Sequence, residues 1–180
     1  MDIKMRLGKI LLSLGFIISF LTNLLIATYI FALLALYTYG ATVSLRGLGW
    51  LLLRRFTKVN ILTGIVVLIL GWAFLLLGLS TGRAILTLWV LYSLVEAYSY
   101  IKMSRVEKLY RYAAISIVSI FIGLMIIIGE MGWLSGLPVD LDNGDTYPIP
   151  IYIMLFINMA SAIIASIASI NIDKASLEAL

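Results

Sequence analysis

The chain has 180 residues, 63% of them hydrophobic and 12% charged, with 13 Lys and Arg against 9 Asp and Glu. That balance leaves too little polar surface to clothe a water-soluble domain of this length, so the composition points to one membrane domain over residues 1–180. The absence of histidine and cysteine excludes imidazole-held metals, bis-histidine haem, thiolate-ligated clusters, thiolate nucleophiles and disulfides, and no cofactor is expected.

The N-terminal MDIKMRLGKILLSLGF sets basic residues before an apolar stretch, as a secretory signal does. No A-x-A site follows at the right distance, so it reads as a retained first helix. From Ile10 to Leu45, thirty-six consecutive residues carry no charge. As one helix they would measure about 54 Å, far more than one upright crossing of a ~30 Å hydrocarbon core needs. Two crossings of about 17 residues each are short but feasible.

The distribution of basic residues favours two. If the run crosses twice, Lys4, Arg6, Lys9, Arg46, Arg54, Arg55, Lys58, Lys102, Arg105, Lys108, Arg111 and Lys174 all fall inside. Only Arg83 falls outside, as the positive-inside rule demands. Residues 10–45 therefore read as a helical hairpin, with its turn near Thr22 and Asn23 because Asn is the good turn former within the run. The alternative is five spans with one long tilted first helix.

Arg46–Lys58, RGLGWLLLRRFTK, is too short to cross and has basic ends around an apolar middle. It reads as an amphipathic segment lying on the inner surface, with Arg46, Arg54, Arg55 and Lys58 towards lipid headgroups. Further spans are expected at 59–79, 84–101, 112–134 and 151–170. Trp72, Trp89 and Trp133 then fall towards the outer interface, and Tyr98, Tyr100, Tyr110 and Tyr112 towards the inner one.

Residues 138–150 form an acidic external loop containing Asp140, Asp142 and Asp145. A calcium-binding EF-hand places Gly at its sixth position, whereas here Gly144 and Asp145 stand in exchanged order, so a solvated turn is expected.

Apolar helices in lipid approach closely where small residues line a face. Gly64, Gly71 and Gly78 recur every seven residues on the third span, and Ser161, Ala165 and Ser169 line the last. Asn23 and Asn158 are expected to hydrogen-bond between helices. Glu96 is an acid within an apolar span, with Tyr92 and Tyr100 one turn to either side. Such an acid should reach the inner interface and pair with Arg or Lys of the 102–111 segment, or serve as a proton or cation site with Tyr92 and Tyr100 as hydrogen-bond donors. Its distance from Glu130 and the loop aspartates, on the opposite side, leaves no carboxylate pair for general acid–base catalysis.

The expected fold is an all-α integral membrane protein: a polytopic bundle of six transmembrane helices in the cell (plasma) membrane, both termini cytoplasmic. The basic residues border apolar runs, where anionic lipid attracts them, so the bilayer and not nucleic acid is the expected partner. The expected function is a non-catalytic membrane subunit that packs against larger membrane protein subunits, in a respiratory or other energy-converting complex. The second reading is a small homo-oligomeric transporter or channel that uses Glu96 as a proton or cation site. A lipid-directed enzyme ranks last, for want of a visible nucleophile.

Overall fold

The computed structural model describes residues 3–28, 32–53, 58–77, 82–128 and 149–172. They form helices α1 (Ile3–Ala27), α2 (Ala32–Leu52), α3 (Lys58–Leu77), α4 (Gly82–Met103), α5 (Leu109–Ala113), α6 (Ser116–Ile128) and α7 (Ile149–Asn171). The described residues contain no strand. Two helices, α1 and α7, are long and apolar enough to cross a membrane.

The long uncharged run is divided between α1 and α2, which pack antiparallel. Gly8 lies against Leu52 and Leu53, Gly15 against Arg46, and the Thr22 hydroxyl bonds Thr38 at 2.9 Å. The turn does not fall at Thr22 and Asn23. Both residues stay helical because their side chains bond backward onto their own helix, Thr22 to the Ile18 carbonyl and Asn23 to that of Ser19, each at 2.8 Å. An Asn satisfied in this way has no need of a turn.

A second correction concerns the segment that begins at Arg46. Residues 46–52 continue α2 into the interior, where Arg46, Trp50 and the following Leu53 are buried. Glycines make this possible. A Cβ on Gly49 would stand 2.8 Å from the Leu12 amide nitrogen, and one on Gly64 would stand 2.9 Å from the Gly47 carbonyl oxygen. With no side chain at these points, α1 and α3 close onto α2 from two sides. Arg46 therefore does not face headgroups. Arg54, Arg55, the Lys58 side chain, Gly78, Glu130, Trp133 and the loop aspartates lie outside the described residues and side chains.

Large apolar side chains are exposed in long stripes, and small and hydroxyl residues share the interior with the apolar core. On α1 the exposed stripe is Leu7, Ile10, Leu14, Ile17, Leu21 and Leu24, while Gly8, Ser13, Gly15, Ser19 and Thr22 are buried. On α7, Ile153, Phe156, Ile163, Ile167 and Ile170 face out, and Ser161, Ala165, Ser166 and Ser169 face in. Hydroxyls bridge the seams. Ser13 and Ser166 join α1 to α7 at 2.8 Å, Tyr110 and Ser169 join α5 to α7 at 2.9 Å, and Ser161 bonds the Ala113 carbonyl at 2.6 Å.

The close α1–α2 approach gives a direct test. Gly49→Ala should cost about 1–3 kcal/mol, the usual range for overpacking, because its methyl meets backbone. Gly123→Ala should cost less, because its methyl would meet only the Trp89 and Val90 side chains, at 3.1 and 3.2 Å. Thermal unfolding of the detergent-purified chain followed by tryptophan fluorescence ranks the two; equal losses would contradict the packing.

A buried ion pair beneath a central cavity

Arg46 on α2 and Glu96 on α4 meet side-on in the interior, 6% and 5% exposed. The Arg46 Nε donates to Glu96 Oε1 at 3.1 Å, and Nη2 forms the second, shorter contact with Oε2. A third donor, the Trp50 indole N–H, reaches Oε1 at 3.1 Å. The free edge of the guanidinium donates through Nη1 to Ser19 Oγ at 3.2 Å, which ties in α1. Its face packs on aromatic rings, 5.4 Å from the Phe16 centroid and 5.9 Å from that of Tyr92. Planar delocalised charge suits such stacking and bidentate pairing, which an ammonium could not reproduce.

The pair gives Glu96 a different partner from the one expected. Its partner is neither a basic residue of the 102–111 segment nor a tyrosine hydroxyl. Tyr92 instead receives a hydrogen bond from the Tyr39 hydroxyl at 2.8 Å, which links α2 and α4 one turn along. Tyr100 contributes its ring, 6.3 Å from Trp50 and 5.8 Å from Tyr110. With Phe16, Met5 and Met103 these rings form an apolar plug on one side of the ion pair.

On the other side lies a cavity of about 230 Å³ lined by α1, α2, α4, α6 and α7. It runs from Arg46 and Glu96 towards the end of the bundle that carries Ile26 and Ile151. Along α1 that is ten residues, from Phe16 to Ile26, or about 15 Å of helix. Its polar lining includes Ser19, Thr22, Asn23, Tyr39, Ser93 and Asn158. These groups are neutral, and the charges at the floor compensate each other. The arrangement offers hydrogen-bond donors and acceptors, and a fixed dipole, to a guest with no large net charge.

Asn158 does connect helices, through a 2.7 Å bond from Ser119 on α6. Gly64 and Gly71 lie against Gly47, Leu51 and Val43 of α2. Ser161, Ala165 and Ser169 are buried against the chain's own α5 and its core. Among the described residues, no three acidic side chains gather as metal ligands would.

Arg46, Trp50, Ser19 and Tyr39 are the site residues that sequence reasoning missed. A signal existed for the first of them: seven uncharged residues, Gly47–Leu53, separate Arg46 from the basic cluster at 54–58. That spacing sets it two turns inside the helix end.

No protein-family model, curated protein or solved structure matches the chain.

Breaking one partner of a buried pair strands the other charge. Arg46→Leu and Glu96→Leu should each cost about 3–5 kcal/mol, while the double variant should cost much less than their sum. A double-mutant cycle from denaturant unfolding in detergent measures this; additive losses would mean that the two side chains do not pair.

Proposed function

We propose that this chain is a six-span integral protein of the cell membrane, with both termini cytoplasmic, that binds a small polar molecule in its central cavity. We assign it to the carriers. It performs no covalent chemistry, and the cavity is the observation that carries this reading. It combines hydroxyl, amide and aromatic groups from five helices above a compensated ion pair, inside a bundle whose outward stripes are large and apolar. Convergent polar groups in a mostly apolar concavity are the usual form of a small-molecule site.

Several features support a carrier over a channel. The rings of Phe16, Trp50, Tyr100 and Tyr110 pack together at the ion-pair end of the cavity, and in this reading they close it on that side. One-sided access is what a carrier presents in a given state. In this reading Glu96 is the counter-ion of Arg46, held by three donors, and is not a vacant cation site. Bilayer placement is supported by the exposed apolar stripes, and orientation by the basic residues that the six-span threading gathers on one side.

The expectation of an accessory subunit drew on missing redox ligands, minimal soluble parts and smooth small-residue faces open to a partner. Gly64, Gly71, Ser161, Ala165 and Ser169 are instead covered by helices of the same chain. That support is withdrawn.

The cysteine-free sequence makes the test clean. Ser93 lines the cavity, and its neighbour Leu94 is 44% exposed on the outer face of α4. In oriented vesicles, Ser93→Cys should react with a charged, membrane-impermeant thiol reagent from the non-cytoplasmic side, while Leu94→Cys should stay silent in lipid. Silence at both positions would end the open-cavity reading. Reaction at Leu94→Cys would end the bilayer placement.

A further inference from the structure

A second concavity lies at the opposite end of the bundle, where α4 gives way to α5. This open groove of about 530 Å³ is lined by Ile101, Ser104, Lys108, Arg111, Tyr112 and Ala114. Lys108 and Arg111, three residues apart, are exposed, and neither forms a salt bridge among the described residues. The nearest acid in sequence, Glu107, is engaged locally, accepting the Leu109 backbone N–H at 3.2 Å. The Ser104 hydroxyl hydrogen is likewise committed, to the Ile101 carbonyl at 2.7 Å. The groove therefore presents two exposed cations outside any salt bridge among the described residues and the exposed Tyr112 ring, with no carboxylate among its lining residues.

Two apolar tracks lead away from it. Along α4, Leu91, Leu94 and Tyr98 share the exposed face of Ile101. Along α6, Ile115, Val118 and Phe121 continue the exposed side begun by Tyr112. Helices α4 and α6 pack against each other, with Gly123 close to Trp89 and Val90, so the tracks belong to neighbouring helices.

We infer that this groove holds the phosphate of an anionic phospholipid whose acyl chains lie along the exposed faces of α4 and α6. A phosphate diester is the complement of a Lys–Arg pair, and a tyrosine at headgroup depth adds a donor. The apolar tracks select a lipid over a free phosphate, because only a lipid has chains to lay on them. The inference rests on the bilayer placement proposed above and is independent of the central cavity. It also moves the lipid-headgroup contact from Arg46, which is buried, to the α4–α5 junction.

Native mass spectrometry of the full chain in detergent tests it, with phosphatidylglycerol and phosphatidylcholine of identical acyl chains as probes. Two surface cations should make phosphatidylglycerol bind about tenfold more tightly than phosphatidylcholine. Lys108→Gln with Arg111→Gln should abolish most of that preference. The charge-preserving exchange, Lys108→Arg with Arg111→Lys, should keep it, as should Arg105→Gln, which removes an exposed cation outside the groove. An undiminished preference in the double Gln variant would overturn the inference. So would an equal loss in Arg105→Gln, which would mean diffuse attraction to the whole basic end. Thiol labelling at Ser93→Cys reads the cavity separately, so a failure here leaves that result untouched.

Discussion

The Arg46–Glu96 ion pair is the constraint to which the other parts of the structure answer. Two charges removed from water are tolerable only if each is fully compensated, because an isolated one costs several kcal/mol even after relaxation. Full compensation here needs three helices in fixed register: α2 brings Arg46 and Trp50, α4 brings Glu96, and α1 brings Ser19 and Phe16. The glycines at 15, 47, 49 and 64 follow from the same demand. They allow α1 and α3 to stand close enough to α2 to hold the pair in register. Sliding one helix by a turn, about 5.4 Å, would strand a charge.

Around that centre the bundle is held together by groups that a soluble core would avoid. Its interior sets Ser, Thr, Gly and Ala among large apolar side chains such as Leu12, Val43, Leu53 and Val67, while further rows of large aliphatic side chains point outward. In the bilayer proposed above, burial of apolar area contributes little between helices, because lipid tails are as apolar as Leu. Close van der Waals contact and hydroxyl bridges must do more, at about 0.6 kcal/mol for a typical interhelical hydrogen bond in a membrane. The bridges are spread over the α1–α2, α1–α7, α5–α7 and α6–α7 seams. The same economy leaves room at the centre. Small side chains at 19, 42, 93, 161 and 162 do not fill the space between five helices, and the cavity is what remains.

Much of the helical character was legible in the chain, because uncharged runs of about twenty residues have few other structures to adopt. The small-residue faces on α3 and α7 were legible from their spacing, but which helix would cover them was not, since packing partners leave no mark on a single helix. Glu96 stood out as an acid within a span. Arg46 was masked by its proximity to Arg54, Arg55 and Lys58, which made a connecting segment look amphipathic as a whole. Asn23 misled for a different reason: its side chain can satisfy itself against Ser19 within the helix, and turn propensity does not register that option. The cavity was illegible in principle. It is assembled from positions as far apart as Phe16 and Ala162, each of them ordinary on its own helix.

The ion pair also sets a timetable. Arg46 and Glu96 are 50 residues apart, so a ribosome finishes α2 well before the counter-charge exists. At ~5–20 residues per second the interval lasts about 2.5–10 seconds. A lone arginine at the centre of a span raises the apparent cost of insertion by about 2.5–3.5 kcal/mol, which sets the upper limit for Arg46, two turns inside the end of α2. For a chain threaded into the bilayer as proposed, α2 must therefore be sheltered against α1 or within the insertion machinery until α4 emerges. Biogenesis is then obliged to proceed with the first hairpin held in waiting, and the slow step of assembly becomes the arrival of one carboxylate.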